Sequence, residues 1–407
     1  MNKPWKGWIP GVLSKNQIKE LCKQGYITNV DNWEDDENGP IDYSAIDLKL
    51  TDECYRMAKG SAKPVGDRYE HFIKSQNLIE ELTPDDIGAY ELKRNNTYLF
   101  KLKERIGLGN KGARIHGQAT AKSTIGRMDV LARLIVDGMD RYEGFDPEGL
   151  NKGYGDMYLE ITPMTFHVRV KAGISLSQLR LFRGKPENAE IKGEEVYEPL
   201  LHVDNSCDMD GSLSVNLQLT HISDNEVCAF CANPMKDEDE SIDLWKRGEV
   251  VPCEYWKFLK SDDHNRLKIH KTHFYILRSK EIISLPGDVA VYCRPTDEAI
   301  GEMRIHYAGF VHPFFGTKRK DGREGTPLIF EVRGHDVDVS LKDGEKMARL
   351  VFYHMSEPCE RIKTEERSKK TTYNEQDLQL SSIFADWPEK IEVEADGSVK
   401  KVEIAKK

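Results

Sequence analysis

The sequence predicts a mainly β protein built from two tandem barrels or jelly rolls, with a short helix near the N-terminus. Three observations carry this expectation. The chain repeats itself at a spacing of 171 residues. Each copy alternates apolar and polar residues over short runs closed by Gly or Asp-Gly. Few stretches hold the 3.6-residue period of a long helix.

The repeat is clearest between YLEITPMTFHVRVKAGISLSQLRLFRG (158–184) and IFEVRGHDVDVSLKDGEKMARLVFYHM (329–355). At constant offset Glu160 falls on Glu331, Val168 on Val339, Val170 on Leu341, Lys171 on Lys342, Gly173 on Gly344 and Leu179 on Leu350. Earlier segments match at slightly different offsets: YSAIDLKL (43–50) with GSLSVNLQL (211–219), YLFKLKERI (98–106) with YILRSKEII (275–283), and TIGRM (124–128) with AIGEM (299–303). Ordered matches of this kind mark a duplicated unit. Closure into a barrel or pairing with a neighbour protects the sheet edges.

The elements follow in order. In LSKNQIKELCKQG (13–25), Ser14 is placed to cap a helix whose apolar face is Ile18, Leu21 and Cys22, with Gly25 ending it. The first copy runs from residue 1 to about 190, where GKPENAEIKGEE forms a charged junction. The second copy covers 191–356 and carries a polar insertion, NPMKDEDESIDLWKRGE. A tail from 357 to 407 is rich in lysine and glutamate except at TTYNEQDLQLSSIFADW (371–387), and its end is either a hairpin turning at DGS or a frayed terminus.

Composition narrows the function. The 407 residues are 39% hydrophobic and 31% charged, which suits a globular chain. A net charge of −10 argues against a nucleic-acid binder, which needs a basic face, but leaves room for a nucleotide in a local basic pocket. Eight cysteines are too sparse for a disulfide scaffold. The opening MNKPWKGWIPGVLSKNQ has no apolar core of a secretory signal, and no run approaches a membrane span. The expected location is the cytoplasm, with no membrane partner.

AKSTIGRMDV (121–130) holds the first candidate site. Lys122, Ser123, Thr124 and Arg127 give two cations and two hydroxyls at a strand-to-turn junction, a donor set suited to polyphosphate. The alternative is a solvated polar turn. The matching stretch of the second copy carries Asp297, Glu298, Ala299 and Glu302, so the fold itself does not require the cations. Glu160 and Glu331 lie in apolar runs, MYLEI and LIFEV. A carboxylate so placed is either on a solvated face or partly buried with raised proton affinity, poised for proton transfer.

Other motifs carry less. GLGNKG (107–112) fits a dinucleotide fingerprint, but a strand rather than a helix is expected after it. Cys228 and Cys231 have metal spacing without a second pair. His116, His202, His270 and His306 are isolated. The zinc-deaminase signature and the P-loop are both absent.

AKSTIGRMDV, followed by Asp140 and YGDMYLEI, resembles the dCTP deaminase family and its dUTPase relatives, with their K/R-S-S-x-G-R motif, aspartate loop and G-x-x-x-L-E strand. TYNEQDLQLSSIF (372–384) is similar to that family's C-terminal lid, and GEMRIHYAGFVHPFFG (301–316) to an altered A-G-F-x-D-P-G-F-x-G loop. The whole layout resembles the bimodular members over residues 8–385.

The resemblance implies two dUTPase-like β-clip barrels of trimeric habit, with active sites between barrels. It implies zinc-independent hydrolysis of dCTP to dUTP and ammonia, supplying dUTP for dUMP and thymidylate synthesis, with Mg2+ bridging the triphosphate. Its match makes Glu160 the general acid–base, with Glu331 as alternative if the site is shared between copies. It gives Ser123 and Arg127 the water and the charge developing near C4, and Lys122, Ser123 and Thr124 the phosphates. Asp140, or Asp146 because the loop is longer here, would bind the sugar hydroxyl. Leu134 to Val136 would meet the cytosine edge through their backbone, Tyr373 and Gln376 would belong to the lid, and Lys370 would touch phosphate. In the second copy the serine and arginine are missing and His312 replaces the loop aspartate, which puts a complete second site in doubt. The rival readings are dUTP diphosphate hydrolysis, alone or coupled to deamination, and a non-catalytic nucleotide-binding regulator.

Overall fold

A computed structural model describes residues 3–402 except 59, 62, 76–78, 108–112, 153–154, 193–200, 203–210, 297–302, 306–308, 318–321 and 362–375. Helix α1 (Lys15–Lys23) forms as expected: Ser14 and Gln17 make a reciprocal capping box, and Ile18, Leu21 and Cys22 are buried. Gly25 follows at φ +71°, a left-handed turn that glycine adopts without strain. Among the described residues further short helices are α2 (Tyr69–Ser75), α3 (Ser123–Gly126) and α4 (Pro186–Ala189).

The first copy contributes β1 (Ile46–Met57), β2 (Thr97–Leu102), β3 (Ile115–Ala121), β4 (Val130–Val136), β5 (Gly144–Phe145), β6 (Met157–Pro163) and β7 (Ser175–Arg183). They form one curled sheet in the order β5-β3-β7-β1-β2-β6-β4. The second copy contributes β8 (Ser212–Asn216), β9 (Phe274–Ile283), β10 (Val289–Pro295), β11 (Met303–Ile305), β12 (Gly309–Val311), β13 (Thr326–Gly334) and β14 (Lys346–His354). Their pairing runs β12-β10-β14-β8-β9, then β13 on β9 and β11 on β13. Strand for strand this is the order of the first copy, so the repeat seen in the letters is a repeat of topology.

Strand pairing and a shared core help to fuse the copies. Ile242–Asp243, from the polar insertion of the second copy, pairs in parallel with Val168 and Arg169 of the first. One continuous hydrophobic core then joins Phe166 and Leu159 of the first copy to Phe230 and Trp256 of the second and to Leu378, Ile383 and Phe384 of the tail. The tail ends in a hairpin of β15 (Ile391–Val393) and β16 (Val399–Lys401), turning at Gly397 with φ +85°. Cys228 and Cys231 are buried free thiols of the second copy, each pushed up to about 11 by burial. Among the described residues no group of three or more His, Cys, Asp or Glu could hold a metal ion, and no helix is long and apolar enough to cross a membrane.

Candidate active site between the two copies

The stretch KSTIGR becomes a single helical turn, α3, closed by the Ile125 and Gly126 amides donating to the Lys122 carbonyl at 2.7 and 3.0 Å. Burial of Ile125 and Gly126 anchors the turn and leaves Lys122, Ser123 and Thr124 half-buried. Lys122 Nζ lies 2.5 Å from Asp47 Oδ2. Arg127 is buried, and its guanidinium faces the second copy.

There it meets Glu331, with Nε 3.9 Å from Oε1. Glu331 is only 7% exposed on β13. Burial, with the Asp129 carboxylate adding to it and Arg127 opposing, pushes its carboxyl up to about 8. Two residues along each chain a second link crosses the same junction: Arg333 Nη1 lies 3.0 Å from Asp129 Oδ2.

The tail seals this place. Arg127 donates from Nη2 to Gln376 Oε1 at 2.5 Å and from Nη1 to the Gln379 carbonyl at 3.1 Å. Gln376 Nε2 donates to the Pro327 carbonyl at 2.8 Å, and Ser381 Oγ to the Thr124 carbonyl at 2.8 Å. Arg278 of β9 pairs with Asp377. Gln376 thus bridges Arg127 and β13, while Lys370 and Tyr373 lie outside the described residues.

Glu160 has other company. It is 1% exposed, stands opposite Arg133 of β4 and forms an ion pair with it. Tyr142 donates its hydroxyl to Oε2 at 3.3 Å, and the Arg133 guanidinium sits 4.2 Å above the Tyr142 ring. Alternation along β6 puts Glu160 on the face of Tyr158, which packs with Ile135, Tyr69 and Phe72. The outer face of the first barrel is therefore capped by the segment carrying α2, whereas the equivalent face of the second is capped by α3 and the tail.

The hairpin residues go with Glu160. The Leu134 amide donates to Glu143 Oε1 at 2.9 Å, and its carbonyl accepts from the Glu143 amide at 2.9 Å. Val136 pairs with Met157 inside the sheet. Asp140 is exposed. Asp146 holds the Gly149 amide at 2.8 Å and Arg141 at 3.0 Å. A cavity of about 930 Å³ opens between the copies, lined among others by Arg141, Asp146, Lys185, Tyr292 and Arg294. Neither Arg127 nor Glu331 lines it, so cavity size and candidate chemistry point to different places, and the buried charged pair is the stronger signal.

Comparison with known proteins identifies the family. The family profile for the 2'-deoxycytidine 5'-triphosphate deaminase N-terminal domain matches residues 9–185, and that for the C-terminal domain matches residues 187–384. The chain belongs to the dCTP deaminase family. Among solved structures it is similar to the 2'-deoxycytidine 5'-triphosphate deaminase from Agrobacterium tumefaciens, at 27% identity and a TM-score of 0.75, covering 86% of this chain and 97% of that one. Comparison with curated protein sequences finds no match. Asp129, Arg333, Arg278 and Gln379 also stand at this candidate site: Asp129 lies inside AKSTIGRMDV and Gln379 inside TYNEQDLQLSSIF without having been singled out there, and Arg333 follows Glu331 by two residues.

Proposed function

We propose that this protein deaminates dCTP to dUTP and ammonia at one site per chain, with Ser123 and Arg127 from the first copy and Glu331 from the second. The observation that carries the reading is Arg127 facing a buried Glu331 of raised proton affinity. Glu160 instead is held as an ion pair by Arg133. A carboxyl that titrates near neutrality can take a proton from water and return it.

In this reading Glu331 takes a proton from water as the hydroxide adds to C4 of cytosine, and that proton passes to ring N3. The carboxylate then moves the proton of the new C4 hydroxyl to the amine, the C4–N bond breaks, ammonia departs, and the C4 carbonyl of the uracil is left. Arg127 and Ser123 offset the charge developing at C4, a fixed donor set that needs no reorganisation. Lys122 and Thr124 meet the phosphates, and the Gln376 segment closes over the triphosphate and keeps bulk water out. Water is activated by the carboxyl itself, so the reaction is zinc-independent, and Mg2+ arrives on the triphosphate oxygens. We place the protein in the cytoplasm as a homo-oligomer, trimeric by family habit, supplying dUTP for dUMP synthesis.

Incubation with Mg2+ and dCTP, with chromatography of the nucleotides, tests this. The wild type should give dUTP and ammonia; dUMP and pyrophosphate would mark dUTP hydrolysis instead. Glu331→Gln should lower kcat by about 10²–10⁴-fold while dCTP still binds. A dead Glu160→Gln beside an active Glu331→Gln would overturn the assignment. A zinc chelator should leave turnover unchanged.

A further inference from the structure

Next to Arg127 and Glu331 lies a second, more deeply buried ionic link. Asp129 is 0% exposed at the start of β4, and its Oδ2 accepts from Thr165 Oγ1 at 2.5 Å as well as facing Arg333 Nη1 at 3.0 Å. Arg333 Nη1 also reaches Thr165 Oγ1 at 3.4 Å. Asp129 and Thr165 belong to the first copy and Arg333 to the second, so the link crosses the junction that the active site crosses. On each side it stands two residues from the reacting pair: 127 and 129 on one chain segment, 331 and 333 on the other. In a strand residues i and i+2 share a face, so Glu331 and Arg333 project side by side.

We infer that Asp129 and Arg333 are positioning residues for the deamination, fixing the register of the KSTIGR turn against the glutamate strand. The inference rests on Glu331 being the base. A buried carboxylate without its cation is costly, and this cost ties the two copies to one relative position. A shift of one residue along β13 would turn both Glu331 and Arg333 away from the junction together. Arg127, by contrast, has 3.9 Å to Glu331 and shares its guanidinium with the tail, so it is poorly suited to hold the copies by itself. Asp129 and Arg333 therefore carry the alignment and leave Arg127 to serve the substrate.

The groups facing Glu331 are Arg127 and Asp129 from the first copy and Cys293 of β10, whose thiol burial, with Glu331 adding to it, pushes up to about 12. Asp129 raises the Glu331 proton affinity. Replacing it by asparagine should move the acid limb of the kcat profile to lower pH.

The test uses the full chain with Mg2+ and dCTP. Asp129→Asn and Arg333→Met should each lower kcat by about 10- to 100-fold with KM little changed, as expected from a misplaced base. The double variant should be no worse than the poorer single one, because both remove the same link. In Asp129→Asn the acid limb should also shift down in pH, which a loss of mere stability would not produce. Additive losses, or an unchanged kcat and pH profile in Asp129→Asn, would overturn the proposal. If Asp129→Asn does not fold, Thr165→Val removes one partner of Asp129 and keeps both charges; lower kcat at constant KM supports the proposal and wild-type kcat overturns it. Glu331→Gln separates the two readings. If it turns over dCTP normally the base assignment fails, and if it is dead while Asp129→Asn is normal only the positioning role fails.

Discussion

Burial holds a proton on Glu331 up to about pH 8, against 4.5 for an ordinary glutamate. The folded state thus binds this proton more tightly than the unfolded chain. The stabilising contribution is fully present below about pH 4.5 and is lost as pH rises through about 8. Glu143, pushed up to about 8 by burial, and Glu104, pushed up to about 7, act in the same direction. Thermal unfolding followed from pH 5 to pH 8.5 should therefore show Tm falling, and the fall should be shallower in Glu331→Gln. The sequence already sets Glu331 in an apolar strand run and gives Arg127 a motif, so both were legible there. Which glutamate meets Arg127 was not legible, because the repeat treats Glu160 and Glu331 alike. Their difference lies in Arg133 and Tyr142 around one and α3 around the other, and these come from distant parts of the chain.

At the level of elements, the outer face of each barrel needs a cover, and the two copies find different ones. Over Glu160 the cover is the segment of α2, where Tyr69 stacks near Phe72 and Tyr158 with ring centroids 5.0 and 5.5 Å away. Over Glu331 it is α3 and residues 376–387. Phe384 anchors the second cover, 4% exposed among Phe166, Tyr255 and Trp256. Phe384→Ala should cost about 3–5 kcal/mol in urea unfolding, and raise KM for dCTP because the Gln376 segment loses its mooring. The strand patterns and α1 could be read from alternation and capping. The segment DRYEHFIKS that forms α2 carries no long periodicity, and its helix is short enough to depend on the sheet beneath it.

At the scale of the whole molecule, a core shared by both copies leads us to expect one folding unit although the sequence divides in two. Arg180 of β7 is 0% exposed, and its guanidinium donates to the carbonyls of Val291 at 2.8 Å and Val311 at 3.2 Å across the junction. The Phe310 ring lies 4.1 Å from it, and burial pulls its proton affinity down to about 9. Arg180→Met should remove two hydrogen bonds from a charged donor to buried carbonyls, at about 1–3 kcal/mol each, and lower Tm as a single cooperative transition; two separate transitions would show that the copies unfold independently. Sequence spacing gave the repeat but no sign of this arginine, whose acceptors are backbone groups that any residue carries.

Ile242–Asp243 sits in the first copy's sheet although the chain reaches it only after entering the second. The covalent link between the copies is then topologically redundant: strand exchange, tail and shared core grip each half from the other. Two genes encoding residues 1–192 and 193–407 should yield a pair of polypeptides that complement one another on co-expression, recovering dCTP turnover without ligation, while either polypeptide made by itself stays inactive. Duplication here has produced an interlock whose halves recognise each other as ligand and receptor would.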